Sequence, residues 1–245
     1  MRRRIGMTVL IAAALVGIAA GPASARTWNE REGCSDVTYG LSTDTPIVGD
    51  WNGDGSFDEL GVVRSGHWYL GTDYCFPSTQ TSFGYGLASD KPLPGDWNGD
   101  GTDTAGVVRG NQWLLRNSNT PGSSNLSFSF GRSTDVFLAG DWDGDGVDTP
   151  AVWRSGVFYL RDGAGVVRSF GYGRSTDIPI VGDWDGNGID TIGVKRGQAF
   201  YLSDNNSTAA LVIGYGLSGL APSVGKFGTF SSDFSHARDS VGTVQ

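Results

Sequence analysis

Four short acidic segments carry the clearest chemistry in this 245-residue chain. They read Asp50-Trp51-Asn52-Gly53-Asp54-Gly55, Asp96-Trp97-Asn98-Gly99-Asp100-Gly101, Asp141-Trp142-Asp143-Gly144-Asp145-Gly146 and Asp183-Trp184-Asp185-Gly186-Asn187-Gly188. Side-chain oxygens at positions 1, 3 and 5, with glycine at 6, suit a hard divalent cation. Alternate side chains turn inward, and the glycine lets the backbone return around the ion. A further carboxylate follows each segment, at Asp58, Asp103, Asp148 and Asp190. These are expected to close each site, with water or a backbone carbonyl completing the coordination. Calcium fits better than magnesium, which keeps its own waters and demands stricter octahedral geometry. The competing reading is a set of Asx turns holding tight hairpins without metal. Electrostatics disfavours it, because several carboxylates in one loop repel unless a cation neutralises them.

The elements that position these loops repeat with them. The Gly-Asp-Trp phrases at Gly49, Gly95, Gly140 and Gly182 are separated by 46, 45 and 42 residues. An aromatic-Gly pair runs in phase at Tyr39-Gly40, Tyr85-Gly86, Phe130-Gly131, Tyr172-Gly173 and Tyr215-Gly216. A Ser/Thr-Asp step follows the first four pairs, ending in Asp44, Asp90, Asp135 and Asp177. Each unit divides into four short strands; in the first they are Pro46–Trp51, Leu60–Arg64, His67–Leu70 and Thr81–Tyr85. No stretch beyond the first 25 residues holds an apolar 3.6 period. Units of about 45 residues with four strands are the signature of β-propeller blades. One blade cannot bury both faces alone, so neighbours must stack into a ring.

The units start near residues 46, 92, 137, 179 and 222, and the fifth is incomplete. Val224-Gly225-Lys226-Phe227 occupies its first-strand slot, and Asp239-Ser240-Val241-Gly242 matches Asp190-Thr191-Ile192-Gly193. Lys226 stands where the other units have the first Asp, so no metal is expected there. What the fifth unit lacks stands at the other end: Thr27-Trp28 resembles a third strand and Asp36–Tyr39 a fourth. The expected fold is therefore all-β, a five-bladed β-propeller whose last blade is shared between the two termini, which leaves no open edge.

Residues 1–25 read as an export signal. Arg2, Arg3 and Arg4 precede an apolar run from Met7 to Ala20, and Ala23-Ser24-Ala25 supplies a small-residue cleavage site. Cleavage near Ala25-Arg26 leaves residues 26–245 as one propeller domain, secreted or at the cell surface. The chain's formal charge of -8 becomes more negative once three arginines leave. That excludes nucleic acid and anionic membrane as partners, since both call for a basic surface. The acids are 23 Asp against 3 Glu, a bias toward turns and metal loops rather than helices. Export permits a disulfide, and the two cysteines, Cys34 and Cys75, are expected to form one. It would join the shared blade to the next.

The loops and their spacing resemble the FG-GAP/VCBS repeats of integrin-α-type propellers, in the form common in secreted actinobacterial proteins. The phrases IVGDWDGNGIDTIGVKR and FGYGRSTDIPIVGDW carry the likeness, which spans nearly all of residues 27–245. The resemblance implies a propeller fold, calcium sites, extracellular residence and, often, adhesion or recognition. The family's form, DxDxDG-x-x-D, has its last carboxylate at position 9. Here that holds for Asp58 alone; Asp103, Asp148 and Asp190 fall at position 8.

Other repeated residues invite functional readings. The Asp-Trp tryptophans are either sugar-stacking platforms or packing between blades. Trp68, Trp113, Phe158 and Phe200 fit a core strand. Arg64, Arg109, Arg154 and Arg196 either ring a face for an anionic glycan or pair with the repeated Asp residues. Catalysis is poorly provided for. There is no Gly-x-Ser-x-Gly elbow, and His67 and His236 are the only histidines. The expectation is a monomeric, non-catalytic module recognising an extracellular glycan or protein. The alternative is a secreted glycoside hydrolase or lyase on a five-bladed propeller, its carboxylate pair drawn from irregular Asp residues or from Glu30, Glu32 and Glu59.

Overall fold

The computed structural model describes residues 25–29, 37–55, 59–71, 78–197, 199–203, 205–206, 209–214, 221–224 and 241–244. Among these residues every regular element is a strand and no helix occurs. Four antiparallel four-stranded sheets follow one another along the chain and are arranged as a β-propeller. The first holds β3 (Thr45–Gly49), β4 (Glu59–Arg64), β5 (His67–Gly71) and β6 (Thr79–Gly84). The second holds β7 (Lys91–Gly95), β8 (Thr104–Arg109), β9 (Gln112–Leu115) and β10 (Leu126–Ser129). The third holds β11 (Val136–Gly140), β12 (Thr149–Arg154), β13 (Val157–Arg161) and β14 (Val167–Gly171). The fourth holds β15 (Ile178–Gly182), β16 (Thr191–Arg196), β17 (Ala199–Ser203) and β18 (Ala209–Gly214). Strand β3 lies beside β7, β7 beside β11 and β11 beside β15, so the first strand of each blade is innermost. The first strand stops at Gly49, two residues short of the expected end, and Asp50 and Trp51 open the loop instead.

Strands from the two chain ends also pair. β1 (Ala25–Asn29), β2 (Val37–Leu41), β19 (Ala221–Val224) and β20 (Val241–Val244) form one antiparallel sheet in the order β19-β20-β1-β2. Strand β19 lies beside both β15 and β3. Val224, the expected start of that strand, is its last residue. Cys34, Cys75, Asp58, Lys226 and the expected export signal up to residue 24 lie outside the described residues.

The burial pattern follows from stacking. Leu60, Val62 and Val63 of β4 are all buried, as are Ala105, Val107 and Val108 of β8, so both faces of these strands are covered by neighbours. The outermost strands β6, β10 and β14 are largely exposed and correspondingly rich in Ser and Thr or Arg. Each third strand presents one large aromatic to the core. Trp68, Trp113, Phe158 and Phe200 are all fully buried. Three of them stack on the facing aromatic of the fourth strand, Trp68 on Phe83, Trp113 on Phe128 and Phe158 on Phe170, each with ring centroids 6.1 Å apart.

The repeated arginines are spent within the blades. The Arg64 guanidinium donates from Nε and Nη2 to both oxygens of Asp44, at 2.7 Å each. The same two-pronged clasp joins Arg109 to Asp90, Arg154 to Asp135 and Arg196 to Asp177. The aspartate side chains are inaccessible to solvent or nearly so. Each carboxylate also accepts a backbone N–H three residues upstream, from Leu41, Leu87, Arg132 or Arg174. This leaves no free ring of arginines for an anionic glycan.

The clasps set a pH dependence. The Arg196 guanidinium, against the opposing cost of burial, holds the Asp177 carboxyl below its ordinary 3.8. At Asp90 and Asp135 burial pushes upward, but the arginine and the backbone N–H outweigh it and the pKa is again lowered. A carboxyl depressed by folding contributes stability that is complete above its unfolded pKa and is lost as pH falls through the folded one. Arg196→Ala is therefore expected to lower the melting temperature by several degrees at pH 7, where it strands a buried carboxylate. The gap to the unsubstituted protein should narrow below pH 3.8, as Asp177 protonates in both. A gap that stays constant down to pH 2 in thermal melts would show that the clasp is not the cause.

Candidate metal centre

Each acidic loop leaves an innermost strand and returns as the second strand of the same blade, which fixes its two ends. Within it the first Asp organises the turn. Asp50 Oδ1 accepts the N–H of Gly53 at 2.7 Å and of Asp54 at 3.2 Å, while Oδ2 accepts that of Gly55 at 2.8 Å. The same three bonds recur from Asp96 to Gly99, Asp100 and Gly101, and from Asp141 to Gly144, Asp145 and Gly146. They recur again from Asp183 to Gly186, Asn187 and Gly188. The glycines at positions 4 and 6 all have φ between 68° and 89°, which a side chain rarely adopts.

The loops differ at positions 3 and 5. In the third, carboxylate oxygens of Asp141, Asp143 and Asp145 lie within 4.8 Å of one another. In the second and fourth loops an amide relieves part of the charge. Asn98 Nδ2 donates to Asp100 Oδ2 at 2.9 Å, and Asn187 Nδ2 donates to Asp185 Oδ2 at 3.0 Å. In the first, Asn52 Nδ2 donates to Glu59 Oε1 at 2.5 Å. Asp96, Asp141 and Asp183 have raised pKa values, chiefly through burial, which the backbone N–H bonds only partly offset. The donor set of the third loop could hold a metal ion such as calcium: convergent oxygens on a pre-turned loop, with negative charge that no amide relieves. When bound, the ion would supply the positive charge that three clustered carboxylates lack.

The expected closing carboxylates occupy a different place. Asp103 Oδ2 accepts the backbone N–H of Asp50 at 2.9 Å, one blade earlier. Asp148 Oδ2 likewise accepts from Asp96, and Asp190 Oδ2 from Asp141. The backbone returns each bond, since the N–H groups of Asp103, Asp148 and Asp190 donate to the carbonyls of Asp50, Asp96 and Asp141. Asp190 is almost wholly buried, and burial followed by the charge of Asp148 pushes its pKa well above 3.8.

Glu59 was not singled out as a loop residue. It is buried, accepts the Trp51 N–H at 3.0 Å and holds Asn52. The signal lay in alignment: β8, β12 and β16 each begin with Thr where β4 begins with Glu. Thr104 and Thr191 use that position to donate to the carbonyls of Arg116 and Ser203. The Asp-Trp tryptophans of the first three loops are packing residues, and Trp184 is half-buried. Trp51, Trp97 and Trp142 are buried, and the Trp97 and Trp142 indoles donate to the carbonyls of Thr104 and Thr149.

One segment breaks the repeat. Arg116 is buried and donates to the carbonyls of Ser118, Ser123 and Pro121 and to the hydroxyls of Ser118 and Thr120. It thereby fixes the loop joining β9 to β10. Beside this loop runs a groove of about 400 Å³ bounded by Tyr85, Arg109, Leu114, Ser123 and Ser124.

Fold and loops together define a β-propeller with a regularly repeated acidic turn. No protein-family model, curated protein or solved structure matches the chain.

Proposed function

We propose that this chain is an exported, calcium-binding five-bladed β-propeller of the FG-GAP/VCBS type, acting as a non-catalytic recognition module for an extracellular polysaccharide or protein. The convergence of Asp141, Asp143 and Asp145 on a loop built four times over carries the calcium reading. The sheet made from both chain ends, with β19 beside β15 and β3, supports a fifth, shared blade. A Cys34–Cys75 bridge would staple that seam, as suits an exported protein.

Recognition falls to what differs between blades. The repeated tryptophans of the first three loops are buried, and the repeated arginines are clasped, so they do not supply a set of equivalent pockets. The groove beside Arg116 and Tyr85 belongs to one blade seam and favours a single asymmetric patch, the arrangement of an adhesin rather than of a many-sited lectin. Calcium is structural in this scheme, since an ion that binds only the folded state stabilises by mass action.

Metal analysis of the purified protein, paired with thermal melts in calcium and in chelator, tests the reading. About four ions per chain and a melting temperature lower by on the order of 10 °C in chelator are expected. No bound ion and no shift would reduce the loops to metal-free turns. The Ser124→Trp substitution should then abolish capture of the partner found by array screening in calcium; unchanged capture would move the patch elsewhere.

A further inference from the structure

The loops are built into the seams between blades, not only into their own blades. Three contacts of the same kind join each of the first three loops to the next blade. The backbone N–H of the first Asp donates to the position-8 carboxylate of the following loop, Asp50 to Asp103, Asp96 to Asp148 and Asp141 to Asp190. The carbonyl of that same first Asp accepts the N–H of the same partner, at 2.8, 2.8 and 2.7 Å. The glycine at position 4 sits against the position-7 side chain of the following loop. A Cβ on Gly53 would lie 2.5 Å from Thr102 Oγ1, one on Gly99 3.0 Å from Val147 and one on Gly144 3.0 Å from Ile189. Position 1 and position 4 of every such turn are thus fixed from outside.

The first Asp is the ligand on which the turn is wound, so its backbone placement sets where the cation oxygens converge. We propose that Asp103, Asp148 and Asp190 are positioning residues that make each cation loop and the seam to the following blade one cooperative unit. This rests on the calcium reading above. In this scheme the carboxylate acts by holding, through Oδ2, the peptide of the ion's first ligand rather than by coordinating the ion. Linkage is reciprocal. A packed seam raises the affinity of the loop before it, and a bound cation tightens the seam after it. Each of these loops is therefore coupled, in both directions, to the start of the second strand of the following blade.

Asp190 offers the sharpest test, because a ligand and a positioning residue respond differently to the same pair of changes. Asn keeps an acceptor for the Asp141 N–H but loses the charge, whereas Ala loses both. Calcium titrations of the full mature chain, followed by deuterium exchange, read each loop on its own peptide. Asp190→Ala should weaken calcium binding at residues 141–147 by about tenfold or more, as loss of a ligand-orienting partner does. Asp190→Asn should restore most of that affinity, and residues 50–55 should titrate unchanged in both. Conversely, Asp143→Asn should speed exchange at the start of β16, in the next blade, while leaving the start of β8 protected. Should Asp190→Ala fail to fold, the Asp143→Asn exchange pattern decides alone. Equal losses in the Asn and Ala variants would make Asp190 a direct ligand and overturn the proposal. An unchanged affinity in Asp190→Ala, or an exchange change confined to the loop's own blade, would overturn it equally. Absence of calcium binding to the unsubstituted chain would instead sink the calcium reading itself, and the coupling with it.

Discussion

Replacing Trp113 by alanine is expected to destabilise the propeller by about 3–5 kcal/mol. The side chain is fully buried and joins two blades at once. Its ring stacks on Phe128 across the strand pair, tilts against Phe130 and meets Phe137 of the next blade edge-on at 5.6 Å. Its Nε1–H donates to the Phe130 carbonyl at 3.1 Å. Removing it leaves a large hole in a seam whose walls are backbone-paired strands and cannot collapse inward. For a domain of this size each kcal/mol moves the midpoint by roughly 2–4 °C. A thermal or urea melt should therefore register a drop on the order of 10 °C. Trp113→Phe is the informative companion. Blades three and four use Phe158 and Phe200 at this register, both fully buried. The Phe variant should lose only the Nε1–H bond and part of the ring, costing about 1–2 kcal/mol. If both substitutions cost the same, packing at the seam is not what the residue contributes.

That equivalence of Trp and Phe was visible in the sequence because a third strand buries one large side chain per blade whatever its identity. Period and pattern sufficed for strands whose faces are both covered, as in β4 and β8, where nearly every residue is apolar. The clasps were half visible. Arg64, Arg109, Arg154 and Arg196 recur in phase with Asp44, Asp90, Asp135 and Asp177, yet pairing and an exposed cationic ring give the same repeat. Only the distances separate them.

The loop carboxylates mark where pattern fell short. Positions 1, 3 and 5 lie in one turn, so spacing alone brings them together. Asp103, Asp148 and Asp190 stand just before the second strand of a blade, and the peptide each one holds lies in the loop of the blade before. Spacing cannot show a partner about 50 residues away. A hint was nonetheless present: Asp239-Ser240-Val241-Gly242 repeats the Asp190 phrase in a unit whose own loop has Lys226 in place of its first Asp. A carboxylate repeated in a unit that lacks the loop's first Asp argues, by sequence alone, for a role outside that loop. Glu59 occurs in one blade only, so it was read as a candidate catalytic carboxylate and not as a loop residue, and the role of Arg116 depends on a loop after β9 that the other blades lack.

Deleting residues 26–38 is expected to have an effect larger than any single substitution. The segment carries nearly all of β1 and the first part of β2. Strand β1 is the bridge of its sheet: Trp28 and Asn29 pair with Val244 and Thr243 of β20 on one side, and Thr27 and Trp28 pair with Thr38 and Val37 of β2 on the other. Without it β20 becomes an unpaired edge. The face of the first blade that meets the shared sheet, where β2 lies against β4, loses its cover. Open strand edges recruit other chains. The truncated protein should therefore elute from size-exclusion chromatography as oligomer or aggregate and melt without a single cooperative transition. Calcium should not rescue it, because the acidic loops lie in blades that are already present, while the missing element is the closure itself. A monomeric truncation with an unchanged melting temperature would falsify the shared blade, leaving four blades that hold together without a clasp from the two ends.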